Sequence, residues 1–506
     1  MGNSRGSIST AALAAIVVVI IIVAVAGLAI YYTHRPSKVT TSTKPTPTTT
    51  STTTTSTSAS SQQVTLTIAT YTGAPQQFLS MAAQLFEQEH PGVVIKVDAY
   101  PFTEYITNEL TVLKAGESSY DIVTFTPTSA RLLAPYLVPL NSSVINTSDI
   151  LWPAESFGGV IYNATTNTSE MVGVAPWVSN VLIIYNTKYF DNATLQQEFY
   201  NEYHMQLNPW TWHNWTVVVD VSQFFVSHNI TKYGVLIMDD TAGGDLDSSF
   251  ESIYGWFYIH NQSLNCGTIH GIPGFGIEFY GCYPKGWTYP FPPPAINTSA
   301  GVQALEILRE LVSYEPSPTV FQVSFDNTPE LFAEGYGPAA VNYASRLAAI
   351  LAQNVSPSEI GLAPLPGNYS MAGGTYFGIS RYSQNKQLAL EFLQFVESPQ
   401  VQEEMFLKLG LFPISKQAYS VLLSNSSVPA YEKNWLLANE ISAEYGNAWE
   451  PLVPVTLQLG NALGNALLNY LENPTSQSPQ QVLNSVAAQY ISILKSYYAS
   501  TTTSSS

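Results

Sequence analysis

Charge is scarce in this chain. Asp, Glu, Lys and Arg make up 11% of it, against about 25% in average soluble proteins. Basic residues are the scarcest, 18 against 36 acidic, for a net charge of −18. The first 63 residues hold no acid and four bases, Arg5, Arg35, Lys38 and Lys44, so the remainder carries 14 bases against 36 acids. Such a body repels phosphate backbones, which excludes nucleic acid as a partner, and its acidity serves solubility. Catalytic signatures are missing as well. There is no Gly-x-Ser-x-Gly, no His-Glu-x-x-His and no phosphate loop. A glycan-cleaving enzyme needs two carboxylates facing one bond. Asp245 and Asp247 are close in sequence, but nothing in the sequence turns them toward a substrate. No motif calls for a cofactor.

Cysteine is nearly absent. Cys266 and Cys282 close a short Gly- and aromatic-rich loop, CGTIHGIPGFGIEFYGC. In an exterior protein such a pair is most simply a disulfide. His260 and His270 lie nearby, but the spacing fits no usual zinc pattern, so no metal is expected.

What is abundant lies at the N-terminus and in the surface residues. Ala11–Ile30 (AALAAIVVVIIIVAVAGLAI) is uninterrupted apolar sequence. As a helix it is about 30 Å long, enough to cross a bilayer. A cleaved secretory peptide would have a shorter apolar core and a small-residue site after it. The run is therefore read as a retained anchor over 11–32, behind a short region 1–10. Arg5-Gly6-Ser7 resembles the processing site of archaeal pilin-like signal peptides, which are cut before the apolar run. Residues 33–63 are nearly all Thr and Ser with Pro36, Pro45 and Pro47. That composition buries no core and reads as an extended, O-glycosylated stalk, reaching roughly 100 Å when stretched. Sequons at Asn141, Asn146, Asn163, Asn167, Asn192, Asn214, Asn229, Asn261, Asn297, Asn354, Asn368 and Asn425 favour a glycosylated exterior surface. These features together place the body outside a cell membrane, held by a single span.

From Val64 the pattern alternates strand and helix. VTLTIATY (64–71) is a strand, 76–90 a helix closed by Pro91-Gly92, 93–100 a strand, 102–116 a helix, and DIVTFT (121–126) a buried strand. This order predicts an α/β fold with mostly parallel sheets flanked by helices. Ligands of such sheets sit outside the strand C-termini. Val172–Trp177 and Val181–Asn186 read as two further strands with a break at Pro176–Asn180. Phe250–His260, Ala300–Ser313, Ala430–Tyr445, Val455–Leu471 and Gln480–Tyr498 read as helices, as does an amphipathic stretch after Ser380 with Leu388, Leu390, Phe392, Leu393, Phe395 and Val396 on its apolar side, and 497–506 ends in a polar tail.

The order of these segments resembles the extracellular solute-binding proteins of ABC importers, the sugar-binding family that includes maltose-binding protein, in an archaeal, membrane-anchored form. The resemblance rests on AAQLFEQEHPGVVIKV, GESSYDIVTFTPTSARLLAPYLVPLN, VAPWVSNVLIIYNTKYF, PWTWHNW, FAEGYGPAAVNYASR and the stretch IGLAPLPG…GG…FGIS…LGLFPIS. It covers about Val64–Lys495. It implies a two-lobed, type II periplasmic-binding-protein-like fold, with lobe 1 at 64–177 and 366–410 and lobe 2 at 180–360 and 415–496. The chain would cross between lobes near 177–181, 363–367 and 409–415. The resemblance also implies capture of a small-molecule solute, a sugar, and its delivery to the permease subunits of an ABC transporter. It implies no catalysis.

A sugar needs aromatic platforms for its apolar faces and planar polar groups for its hydroxyls. From lobe 1 the candidates are Tyr71, Thr72, Phe125, Thr128, Gly373, Gly374 and Tyr376. From the hinge they are Trp177 and Ser179. From lobe 2 they are Asp245, Asp247, Phe250, Trp256, Asn342, Tyr343, Arg346 and Trp449. Several have a plainer reading: Trp256 and Trp449 as core, Asp245 and Asp247 as helix caps, Gly373-Gly374 as a turn. The family's charged residues after the first and third strands are replaced by Tyr71-Thr72 and Thr128, so maltose itself is not implied. A peptide or other polar-solute receptor of the same fold is the nearest rival. A secreted glycan-processing enzyme and a pilin-like subunit are the more distant ones.

Overall fold

The computed structural model describes residues 63–141, 145–151, 159–163, 168–241, 244–261, 291–445 and 453–503. The apolar run, the stalk, both cysteines and Trp449 lie outside them. Among the described residues no helix is long and apolar enough to cross a membrane.

The first sheet grows from β1 (Val64–Tyr71), whose period-2 pattern turns Leu66, Ile68 and Thr70 to the fully buried side. β2 (Val93–Tyr100) runs parallel to it in register from Val64↔Val93 to Tyr71↔Tyr100. β3 (Ile122–Phe125) is parallel on the other side through Ile68↔Ile122. Parallel neighbours need a crossover. Helices α1 (Ala74–Glu89) and α2 (Tyr105–Ala115) supply the two crossovers, and Gly116 ends α2 in the left-handed region at φ +72°. A short helix α3 (Pro127–Leu133) follows β3.

β6 (Trp177–Asn186) is the axis of the second sheet. The sequence led us to expect a break at Pro176–Asn180, but the strand already begins at Trp177 and runs on through Asn180. Ser179 and Asn180 are polar yet buried, and neighbouring strands consume their backbone groups. β10 (Ala372–Gly374) pairs antiparallel with 178–180, and β12 (Phe412–Pro413) with 177–178. The rest of β6 pairs antiparallel with β8 (Ala339–Tyr343) and β9 (Ile360–Ala363), so this sheet is mostly antiparallel where the sequence led us to expect mostly parallel strands. Its eight buried leading residues read as a continuous run because both faces are covered. β7 (Leu236–Ile237) lies parallel to β8. β4 (Val160–Asn163) and β5 (Thr168–Met171) form a separate antiparallel pair. The Val172–Trp177 strand expected from the sequence is reduced to one bridge, Val174↔Phe377.

β11 (Tyr376–Ile379) leaves the second sheet one residue after β10 and joins the first, antiparallel to β3. Between Gly374 and Tyr376 the chain therefore passes from one sheet to the other. Two apolar helices, α6 (Lys386–Val396) and α7 (Pro399–Leu409), then return to α1, and Phe392 and Phe395 set their edges on Phe86.

On the second sheet's side, α4 (Asp245–Asn261) packs against α5 (Ser299–Val312) and α9 (Thr456–Glu472), and α9 packs against α10 (Pro479–Thr503). α8 (Ala430–Tyr445) covers β6 and β9. Asn180 on β6 donates to Asn439 Oδ1 of α8 at 3.2 Å. Stacked aromatics fill the interior on this side, among them Phe190, Trp212, Trp215, Phe225, Phe250 and Tyr254. Burying such side chains contributes about 1.5–3 kcal/mol each.

Candidate functional site

A cavity of about 360 Å³ opens where the loops after β2 and β3 face helices α4, α9 and α10. It lies at the strand C-termini of the first sheet, where an open α/β sheet binds ligands.

The first wall is aromatic and hydroxylated. Phe102, exposed in the turn before α2, and Tyr105, buried at the start of α2, line it with Ile106 beside them. Tyr71 stands behind these rings, 5.1 Å from Phe102 and 4.8 Å from Tyr105. Its phenol shares a 2.6 Å hydrogen bond with Thr375 Oγ1, and burial pushes its pKa up to about 12. Burial also raises the Tyr105 phenol, against the lowering effect of hydrogen bonds with Thr126 and Ser129. Thr126 and Ser129 form the capping box of α3: Thr126 N–H donates to Ser129 Oγ at 3.2 Å. The Thr126 and Thr128 hydroxyls lie 2.8 Å apart. One helical turn beyond Tyr105, Glu109 is fully buried. Its Oε1 accepts the Thr124 N–H, and burial holds its carboxyl well above the ordinary range.

The second wall is acidic and amidic. Asp247 and Glu251, one turn apart on α4, line it with Thr241 and Gly244. α9 contributes Gly460, Asn461, Gly464 and Asn465, and α10 contributes Tyr490. The repeat GNALGNAL puts both glycines on one helix face. A Cβ at Gly460 would stand 2.8 Å from Asp247 Oδ2, and one at Gly464 2.7 Å from Asp247 Oδ1. Glycine inside a helix costs roughly 1 kcal/mol relative to Ala. Here that cost makes room for the Asp247 carboxylate.

Of the residues expected at the site, Thr128 and Asp247 line this cavity. Tyr71 supports its wall. The others stand elsewhere. Phe125 and Tyr376 are buried and stacked on one another at 5.7 Å, inside the first sheet's core. Trp177 is buried against Phe78 and Phe377. Phe250 is core, stacked on Tyr254. Trp256 spends its indole N–H on the His213 carbonyl at 3.0 Å. Thr72 is exposed and continues the β1–β2 ladder by donating to Tyr100 O. In each case an aromatic or hydroxyl residue of the right type is claimed by packing or pairing.

A second cluster sits around Phe325. Its N–H donates to Asp245 Oδ2, and its ring lies edge-on to Tyr343 and 3.5 Å under the Arg346 guanidinium. Arg346 also bonds Asp326 at 3.1 Å. Burial lowers the Arg346 pKa, and its charge acts on the Tyr71 phenol. Tyr343 shares a 2.8 Å hydrogen bond with Ser248 Oγ. Ser179 Oγ accepts the Ser345 N–H at 3.1 Å, and buried Asn342 accepts the Tyr343 N–H. Gly373 pairs with Ser179, and a Cβ there would meet the Tyr343 ring at 2.7 Å. One at Gly374 would meet the Tyr376 ring at 3.1 Å. Asp245, Asn342, Tyr343, Arg346, Ser179, Gly373 and Gly374 thus brace the passage between the sheets and do not line the cavity. Burial raises Asp245 to about 7, offset in part by the Phe325 N–H.

Sequence reasoning missed Phe102, Tyr105, Thr126, Glu251, Gly460, Asn461, Gly464, Asn465 and Tyr490. The GNALGNAL repeat was the available signal, since two glycines inside an amphipathic helix need a reason. Among the described residues no three His, Cys, Asp or Glu side chains converge on a metal position.

Residues 69–403 match the family model described as bacterial extracellular solute-binding protein. Solved structures share the fold at low identity. A maltose-bound T. maritima protein superposes with a TM-score of 0.63 at 16% identity, over 85% of this chain and 99% of that one. A Thermotoga lettingae TMO solute-binding protein bound with α-D-tagatose gives 0.63 at 18%, over 85% and 100%. The GacH receptor of Streptomyces glaucescens GLA.O, solved unliganded and with acarbose, gives 0.60 at 18%, over 86% and 99%. With the family model spanning most of the chain, the chain belongs to the bacterial extracellular solute-binding protein family.

Proposed function

We propose that this chain is the receptor subunit of an ABC importer, capturing a saccharide in the cavity between the loops of the first sheet and helices α4, α9 and α10, and handing it to the membrane permease. The observation that carries this reading is the composition of that cavity. The Phe102 and Tyr105 rings face a wall of carboxylate and amide side chains, with Thr126, Thr128 and Ser129 hydroxyls between. Sugars need such a mixture: rings for C–H faces and polar groups for hydroxyls. The neighbouring structures, described with maltose, tagatose and acarbose, support the same ligand class. Contacts from both sides of one cavity let a ligand shift the population toward a closed form, which the permease reads.

The body works outside the cell, tethered by the apolar run 11–30 and spaced from the membrane by the Thr/Ser stalk. Its surface supports glycosylation. The sequon residues Asn192, Asn229, Asn354, Asn368 and Asn425 are all exposed, and Asn229, Asn354 and Asn368 sit at positive φ.

The test is a thermal-shift screen of mono- and oligosaccharides against a peptide panel, followed by calorimetry on each hit. Saccharides are expected to raise the melting temperature. Stabilisation by peptides and by no saccharide would overturn the reading.

A further inference from the structure

The glycines of GNALGNAL make room for Asp247, and its asparagines face the cavity. Asn461 and Asn465 stand four residues apart on one face of α9, both exposed and both lining the cavity. The opposite wall repeats the spacing. Thr103, in the turn before α2, and Thr107, in its first turn, are exposed and line the cavity as well. Among the described residues none of these four side chains has a hydrogen-bond partner. Each row then stops. The next residue in each is exposed but bonds back to its own helix: Thr111 Oγ1 donates to Thr107 O at 2.7 Å, and Asn469 Nδ2 to Asn465 O at 2.7 Å. Neither of these two lines the cavity.

Four residues of helix advance about 6 Å, close to what one pyranose unit adds to a glycan chain. An amide both donates and accepts, as a sugar hydroxyl does. Two amides one turn apart therefore match two successive sugar units. The cavity, about 360 Å³, is at the small end for ligand cavities, so it encloses a short saccharide and not a long chain.

We propose that α9 makes this cavity a two-unit reader: Asn461 and Asn465 each bind one unit of a disaccharide, with Thr103 and Thr107 touching it from the other wall. A disaccharide is then held ahead of its monosaccharide, and a third unit adds little. The proposal rests on the saccharide reading above and names the ligand class within it. α9 is packed against α4 and α10, so the helix fixes the separation of the two amides before a ligand arrives, and that preorganisation favours a ligand of matching repeat. A monosaccharide reaches one amide and leaves the other to water.

The test uses the full chain in detergent at pH 7 and matched chain-length series. D-glucose, maltose and maltotriose form one, D-glucose, cellobiose and cellotriose a second, and the β-1,4-mannose counterparts a third. Affinities come from calorimetry. In the series that binds, the disaccharide is expected to exceed the monosaccharide by about tenfold or more, and the trisaccharide to stay within about threefold of the disaccharide. Asn461→Ala and Asn465→Ala are each expected to cut the disaccharide-to-monosaccharide ratio by about threefold or more. Their melting temperatures should hold, since both positions are exposed and Ala suits a helix. A monosaccharide that binds as tightly as its disaccharide, a trisaccharide that gains a further tenfold, or a ratio that survives both substitutions overturns the two-unit reader and leaves saccharide capture standing. Failure of every sugar in all three series removes the saccharide reading, and the reader with it. Wild-type affinities across a series decide the matter even where one variant does not fold.

Discussion

The Asp247 carboxylate occupies the space that a side chain at Gly464 would need: a Cβ there would stand 2.7 Å from Oδ1. Helix propensity alone favours Ala at position 464 by roughly 1 kcal/mol. The obstacle is the tip of a flexible side chain, which can rotate away. Gly464→Ala is therefore expected to leave stability within about 1 kcal/mol of wild type while lowering ligand affinity, because Asp247 is displaced from the cavity wall. Paired melting curves and calorimetry check this. A large loss of stability with unchanged affinity would show that the glycine serves packing and not the site.

Gly373 presents the opposite case. A Cβ there would meet the Ser179 carbonyl oxygen at 2.8 Å as well as the Tyr343 ring at 2.7 Å. The carbonyl is backbone of β6, and Tyr343 is held by Ser248. Neither yields easily. Gly373→Ala should cost about 1–3 kcal/mol through overpacking. Gly374→Ala should cost less, because only the Tyr376 ring stands in its way, at 3.1 Å or more. Urea unfolding of the two variants separates them, and equal midpoints would contradict this geometry.

Tyr71 carries its phenol behind the cavity wall, bonded to buried Thr375. Tyr71→Phe removes that bond and leaves the ring contacts with Phe102 and Tyr105. The expected cost is about 1 kcal/mol, with affinity near wild type because the hydroxyl faces Thr375. Urea midpoints together with a binding isotherm test both halves. In the wild type, the phenol should show no ultraviolet ionisation signal below pH 11, given its pKa of about 12.

Stability should fall as pH rises toward alkaline. Burial raises Asp239 to about 7 and Asp245 to about 7. Burial, and next the Asp149 charge, raise Glu397 to about 8. Burial also holds Glu315 well above the ordinary range. These carboxyls keep protons in the folded chain that the unfolded chain releases. Their contribution is complete below about pH 4 and is lost as pH rises through 7 and 8. A shift of about three units corresponds to at most roughly 4 kcal/mol for one group. Urea midpoints should decline between pH 5 and pH 8. Asp239→Asn, which keeps an oxygen for the Val323 N–H, should raise the midpoint at pH 8 more than at pH 4. A midpoint that climbs steadily from pH 4 to pH 8 would refute this assignment.

The α/β character was legible from Val64 onward, because strand and helix periods are local properties of the side-chain pattern. β1, β2, α1 and α6 lie where apolar spacing put them. The passage at 373–376 was not legible: the sequence put the crossing near 363–367 and Gly373-Gly374 read as a turn or a ligand contact, whereas 372–374 still pairs with β6 and only 376–379 joins the first sheet. Nor was β6. Ser179 and Asn180 look like a break in sequence, yet β10 pairs with both and the Asn180 amide donates to Asn439, across long separations. The site was the least legible part. Sequence supplies residue types, and this chain has many aromatics of the right type. Packing claimed Phe125, Trp177, Phe250 and Tyr376, and left Phe102 exposed at the cavity, with Tyr105 buried in its wall.

The sequence by itself determined the α/β alternation of the first strands and helices, the acidity of the body and its family, because these depend on composition, period and the order of motifs. Only the tertiary structure decided that Asp247, and not its neighbour Asp245, lines the cavity. That choice depends on α9 bringing two glycines against one face of α4, more than two hundred residues away in the chain.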